Sequence, residues 1–253
     1  MKFTKHITFY YLEKRIYCLN KIIDETNNYK FITDIFIHTN NNDFTTEFLN
    51  KYTNGSINII YHDLSDINPS YLTWKCRDLL YKQKDDYDIF IYIEDDILVP
   101  FKAIEYWLDY NEYLINMNYN LGFVRIEFDT NEQEYITDLY GQKLDNIIDI
   151  NNKKFCINDK NPYCAFWIYN KNEFKKFVNS SYYDINNIPN YDICEKSAIG
   201  LHGFGNNWYK ATVIPIINNI LIESCKIYHI PNNYVINNNS LFATIKFLDA
   251  IHF

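Results

Sequence analysis

Apolar and polar positions alternate between two periods along the first hundred residues. Ile7–Tyr11 reads as a strand. From Glu13 to about Asn27 the apolar residues Ile16, Leu19, Ile22 and Ile23 recur at three- and four-residue spacing, which predicts an amphipathic helix. Asp34–His38 predicts a second strand, Phe44–Tyr52 a helix closed by Gly55, and Ile57–Tyr61 a third strand. A helix from about Tyr71 to Lys84 carries Leu72, Cys76, Leu79 and Leu80 on one face. Ile89–Ile93 is an apolar run of the kind found in strands buried on both faces of a parallel sheet, and a helix from Phe101 to about Met117 follows it. Strand and helix in this alternation predict a parallel, right-handed, Rossmann-like α/β sheet.

The second half is less regular. Gly122–Phe128 predicts a strand, followed by extended pieces at Tyr135–Leu139, Ile147–Ile150 and Lys154–Ile157. A strand at Ala165–Tyr169, a short helix at Asn172–Val178 and a helical segment at Tyr191–Gly200 come next, then extended Val213–Ile217 and Leu221–His229. No stretch has the composition of a linker and no internal repeat stands out, so residues 1–253 are expected to form a single domain.

Directly after the apolar run stand Glu94, Asp95 and Asp96, with no basic neighbour in sequence. Three adjacent negative charges beside a buried strand cost stability unless a cation neutralises them. Ligands of open α/β sheets bind at the carboxyl ends of strands. The pattern therefore points to a divalent-metal site for a phosphate-bearing substrate. A solvated acidic turn before the helix that starts near Pro100 is the other reading.

Composition narrows the field. Apolar content of 47% and aromatic content of 18% exclude a disordered chain. A net charge of -8 argues against a nucleic-acid partner. The six cysteines form no CxxC pair and no stretch reads as an export signal or membrane span, so reduced thiols and a cytoplasmic location are expected.

Glu94-Asp95-Asp96 after an apolar strand resembles the acidic DxD motif, in its Glu-Asp-Asp variant, of GT-A fold glycosyltransferases that use nucleotide sugars. The segment Leu72-Thr73-Trp74-Lys75 resembles its equivalent in a group of bacterial and viral glycosyltransferases. The resemblance implies a nucleotide-binding half over residues 1–100 and an acceptor-binding half over 101–253. It implies Mn²⁺ or Mg²⁺ held by Asp96, with Glu94 nearby, and with His229, whose segment Lys226–Tyr234 resembles the family's C-terminal metal-binding stretch. It further implies contacts to the nucleotide sugar from Asp95, from Tyr10, Tyr11 and Arg15 after the first strand, and from Thr73, Trp74, Lys75 and Arg77 before the acidic strand.

Strand alternation places Arg125, Glu127 and Asp129 on one face, consistent with a site wall or with a solvent-facing sheet. Asn161–Trp167 resembles the segment shaping the sugar pocket, with Tyr163 or Trp167 as stacking candidates; core packing also accounts for Trp167. Glu195 and Asp192 occupy the segment matching the catalytic carboxylate of inverting members, although the family's adjacent acidic pair is absent. Capping of a helix start explains the same acids. Gly203 and Gly205 suggest a loop over the donor.

The function implied is transfer of a hexosyl or N-acetylhexosaminyl group, from a UDP-sugar by preference, to a hydroxyl of a glycan, glycolipid or glycoprotein, metal-dependent and inverting. The alternative is a degenerate GT-A module that binds a sugar nucleotide or glycan without turnover.

Overall fold

The computed structural model describes residues 1–41, 43, 47–188, 191–200, 210–237 and 239–252. In chain order they form β1 (Phe3–Phe9), α1 (Ile16–Asn27), β2 (Thr33–Thr39), β3 (Ile57–Tyr61), α2 (Arg77–Lys82), β4 (Ile89–Glu94), β5 (Ile97–Leu98) and α3 (Phe101–Asn116). There follow β6 (Tyr119–Leu121), β7 (Val124–Phe128), β8 (Glu134–Ile136), β9 (Ile147–Ile150), β10 (Lys153–Ile157), β11 (Phe166–Asn170), α4 (Lys171–Val178) and α5 (Ile193–Ile199). The chain ends with β12 (Ala211–Ile217), β13 (Ile220–Leu221), β14 (Lys226–His229) and β15 (Ile245–Lys246). The glycines expected in a covering loop, Gly203 and Gly205, lie outside the described residues, as does the start of the helix expected from Phe44.

Two compact units result: Met1–Ile97 with Ala165–Gly200, and Leu98–Cys164 with Leu201–Phe253. The return of Ala165–Gly200 to the first unit was not expected, and pairing explains it. β11 lies antiparallel to β4, with Phe166 opposite Ile93 and Asn170 opposite Ile89.

The first unit is built on a sheet of order β11-β4-β1-β2-β3. β1 pairs in parallel with both β2 and β4, and β2 with β3. This is the expected α/β, Rossmann-like, mostly parallel architecture. Chain order runs outward from β1 to β3 and then returns to β4 on the other side of β1, so the topological switch point lies between β1 and β4.

Both faces of β1 and β2 are buried, polar side chains included. Lys5 donates to Thr26 Oγ1 (2.6 Å) and Tyr29 Oη (2.9 Å), and burial lowers its pKa to about 7. His6, His38 and His62 form a hydrogen-bonded row with ring nitrogens 2.9 Å apart, and His6 Nε2 lies 2.9 Å from Gln83 Oε1. Since Gln83 Oε1 can only accept, His6 Nε2 carries the proton. His6 Nδ1 then accepts from His38, and His38 Nδ1 from His62. These satisfied polar groups explain why β1 starts at Phe3 and not at Ile7 as its apolar pattern suggests.

The second unit holds two smaller sheets. One runs β13-β12-β10-β9, with β6 alongside β12, and the other includes β15-β8-β7-β14. Two of its hairpins turn on asparagine pairs at positive φ, Asn151 and Asn152 (46° and 62°) and Asn218 and Asn219 (52° and 64°). A two-residue type I′ turn needs that conformation at both positions, and asparagine tolerates it better than other side chains do. Among the described residues no helix is long and apolar enough to cross a membrane.

Candidate functional site

At the switch point of the first unit lies a cavity of about 190 Å³. Thr8 and Tyr10 line it from the end of β1, and Glu94 and Asp95 from the end of β4. Arg15, Pro69, Ser70, Leu72, Thr73 and Cys194 complete the wall. Each arrives by a local device. Thr8 and Glu94 sit opposite one another in the β1–β4 register. Glu13–Arg15 forms a 3₁₀ turn that places Arg15 at the N-cap of α1. Pro69–Trp74 is a 3₁₀ helix separate from α2, not the start of one long α-helix, and it begins with Asn68 accepting from Ser70 N (3.0 Å) and Pro69 at its first position.

The acidic turn has a cation partner that sequence proximity does not reveal. Arg15 Nη2 lies 3.0 Å from Asp95 Oδ1 and 2.5 Å from Asp96 Oδ2. Asp95 is only 5% exposed, and its Oδ2 has no hydrogen-bond partner among the described residues. Burial and the adjacent Asp96 carboxylate push Asp95 up to about 7, against the pull of Arg15. A hard divalent cation fits this donor set, since two adjacent carboxylates meet here and one buried oxygen of Asp95 is unsatisfied among the described residues. Among the described residues no three His, Cys, Asp or Glu side chains are grouped to hold a metal. Water or substrate oxygens would therefore supply most of the shell.

α5 is fixed against this wall by donors to its backbone. Trp74 Nε1 donates to Ile193 O (2.9 Å), while Trp167 Nε1 (3.1 Å) and Arg77 Nη2 (2.9 Å) both donate to Ser197 O. Gly200 ends the helix at φ 54°, where an added Cβ would come within 2.3 Å of the Tyr169 hydroxyl. The result holds Cys194 on the cavity, with Sγ 3.9 Å from Ser70 O.

The expected site residues divide accordingly. Tyr10, Arg15, Thr73, Glu94 and Asp95 come together at the cavity, and Asp96 joins them through Arg15. Tyr11 instead donates its N–H to Asn40 Oδ1 (2.8 Å) and sets its ring edge-on to Phe9. Lys75 is exposed and Trp74 half-buried, both outside the lining.

Arg77 does not face the binding edge. Its guanidinium is buried among the rings of Trp74, Trp167, Phe177 and Tyr183, 4.7–5.7 Å from their centroids. Its Nε and Nη1 have no acceptor among the described residues, and the ring faces offset that loss. Trp167, 1% exposed and stacked on Tyr92 and Tyr169, is a core side chain. Asp192 and Glu195 form a capping box at the start of α5, with Glu195 Oε2 accepting from Asp192 N (3.2 Å).

Thr8 and Cys194 line the cavity although neither stood out in the sequence. Thr8 carried a usable signal, a polar residue near the end of an apolar strand. Cys194 carried none.

In the second unit buried Arg125, Glu127 and His229 form one polar cluster with half-buried Tyr163, so β7 presents Arg125 and Glu127 neither to solvent nor unpaired. Arg125 makes a two-pronged pair with Asp138 (3.1 and 2.6 Å), and its guanidinium lies 5.3 Å from the Tyr163 ring. Glu127, fully buried, binds His229 Nδ1 and accepts from Tyr234 N (2.9 Å) and Val235 N (2.7 Å). Such a carboxylate fixes the orientation and tautomer of its imidazole.

No protein-family model matches the chain, and no curated protein does. Among solved structures it is similar to S. aureus TarS 1-349, with a TM-score of 0.46 and 10% identity over 90% of this chain and 60% of that one. A second S. aureus TarS structure gives the same score and identity, but there the chain spans 36% of its length. The 4-diphosphocytidyl-2C-methyl-D-erythritolsynthase of Anaerococcus prevotii DSM 20548 gives 0.42 and 15%, covering 87% of this chain and 89% of that one. At these scores the neighbours carry no information on activity.

Proposed function

We propose that this chain is a transferase that binds a nucleoside-diphosphate sugar at the β1–β4 switch point, with a divalent cation on the acidic turn, and passes the sugar to an acceptor hydroxyl. The observation that carries this reading is the cavity itself. It lies at the carboxyl ends of two adjacent parallel strands and combines an unsatisfied buried carboxylate oxygen with an arginine. Asp95 and Asp96 would hold the cation, and its charge would neutralise the leaving diphosphate. UDP-sugars rank first, as the resemblance of the acidic motif to GT-A glycosyltransferases implies. Thermal melting with UDP-, GDP- and CMP-sugars, with and without Mn²⁺, tests the reading. One sugar nucleotide is expected to raise the melting temperature only when Mn²⁺ is present, and no shift across the panel would contradict it.

Glu195 is proposed as the base that takes the acceptor proton, with Asp192 as the other candidate. Glu195→Gln keeps an oxygen for the capping box but cannot accept a proton. It is expected to bind sugar nucleotide normally and to lose transfer. If transfer survives in Glu195→Gln and fails in Asp192→Asn, the roles exchange.

A further inference from the structure

The acidic turn is already neutralised in part, and the group that does so lines the same cavity. Arg15 Nη2 spans Asp95 Oδ1 and Asp96 Oδ2, which are oxygens that a cation on this turn would need. A guanidinium and a divalent cation compete for those lone pairs and repel each other at such spacing. The second oxygen of Asp95 stays buried without a partner among the described residues. Arg15 is also the member of this set most able to leave. Its side chain is 29% exposed, against 7% for Asp95 and 17% for Asp96, and it projects from the N-cap of α1, outside the sheet.

We propose that Arg15 is an exchangeable counter-ion for the acidic turn: a divalent cation displaces it, and the released guanidinium then binds the anionic ligand in the same cavity. The proposal rests on the reading that this cavity takes a diphosphate together with a divalent cation. Metal alone binds weakly, because it must first break the pairs to Arg15. A diphosphate gives the freed guanidinium a new two-pronged partner. Cation and diphosphate therefore bind with positive coupling, and linkage makes the coupling equal in both directions. Arg15 is a positioning and gating residue in this scheme, and without its exchange the carboxylates would attract cations with no nucleotide present.

The test is Mn²⁺ binding to the metal-free protein, by calorimetry and by the electron paramagnetic resonance of free Mn²⁺, with and without UDP. Arg15→Met is expected to bind Mn²⁺ alone roughly tenfold tighter than the wild type, the scale of one lost competing charge pair. UDP is expected to tighten Mn²⁺ binding about tenfold or more in the wild type and less than about threefold in Arg15→Met. Mn²⁺ affinity that is unchanged or weaker in Arg15→Met, or coupling to UDP that persists at full strength, would overturn the exchange while leaving the metal reading intact. Failure of both proteins to bind Mn²⁺, alone or with UDP, would overturn the two together. Should Arg15→Met not fold without metal, Arg15→Gln keeps a donor for one carboxylate. The same tightening is expected of it, and its absence counts the same way.

Discussion

Asp96→Ala is expected to lower turnover of the preferred sugar nucleotide by roughly two to three decades, equivalent to about 3–4 kcal/mol of lost charge stabilisation. The side chain sits in the turn after β4, paired to Arg15, with no part in the core of the sheet. Its removal should therefore leave the fold in place, which a melting curve checks. Chelation of metal in the wild type should lower turnover as far as the substitution does, and chelating the variant should add little. Equal turnover in the wild type with and without chelator would sink the metal's role, whatever the variant does.

Acid is expected to weaken the fold through the histidine row. Burial lowers His6 from its ordinary 6.5 to about 3 and places His38 well below 6.5, and burial together with the nearby Lys75 lowers His62. A depressed native pKa means that the unfolded chain binds more protons between about pH 3 and 6.5. Stability from these groups is thus complete above pH 6.5 and is lost as pH falls toward 3. For His6 alone the loss is on the order of 4 kcal/mol across that window. His6→Leu removes the proton-binding group along with its bonds to His38 and Gln83. Denaturant unfolding from pH 7 to pH 4 should show the wild type's advantage over His6→Leu shrinking steadily. Parallel profiles would mean that His6 titrates alike in the folded and the unfolded chain.

What the sequence revealed depended on whether a residue's partner lay nearby in the chain. The run Ile89–Ile93 and the acidic turn were legible because burial on both faces and adjacent charges are local patterns. The extent of β1 was not. Lys5 and His6 look like surface residues until Thr26, Tyr29, His38 and Gln83 are brought against them by the fold. Arg15 was singled out for the nucleotide, but its pairing to Asp95 and Asp96 spans about eighty residues and leaves no mark in the spacing. Arg77 misled for the opposite reason. A cation before an acidic strand suggests phosphate, whereas four aromatic rings from separate segments enclose it.

The second half was harder to read because its strands are short and its sheets mixed, so each hydrophobic run is brief. The positive φ of Asn151–Asn152 and Asn218–Asn219 shows that part of the asparagine content has a turn-making role. The return of Ala165–Gly200 to the first unit depends on β11 pairing with β4, a long-range contact that no local pattern announces. That return is what brings Cys194, Asp192 and Glu195 into the unit that holds the acidic turn.

A diphosphate and a divalent cation are expected to meet at the ends of β1 and β4. A crystal structure of the protein with UDP and Mn²⁺, with the manganese located by its anomalous scattering, tests this most directly. One strong anomalous peak is expected, bonded to carboxylate oxygens of the Asp95–Asp96 turn and to phosphate oxygens of UDP, with Arg15 turned from the carboxylates to the diphosphate. Manganese and UDP bound away from this turn, or UDP seated elsewhere with Arg15 still on Asp95 and Asp96, would contradict it.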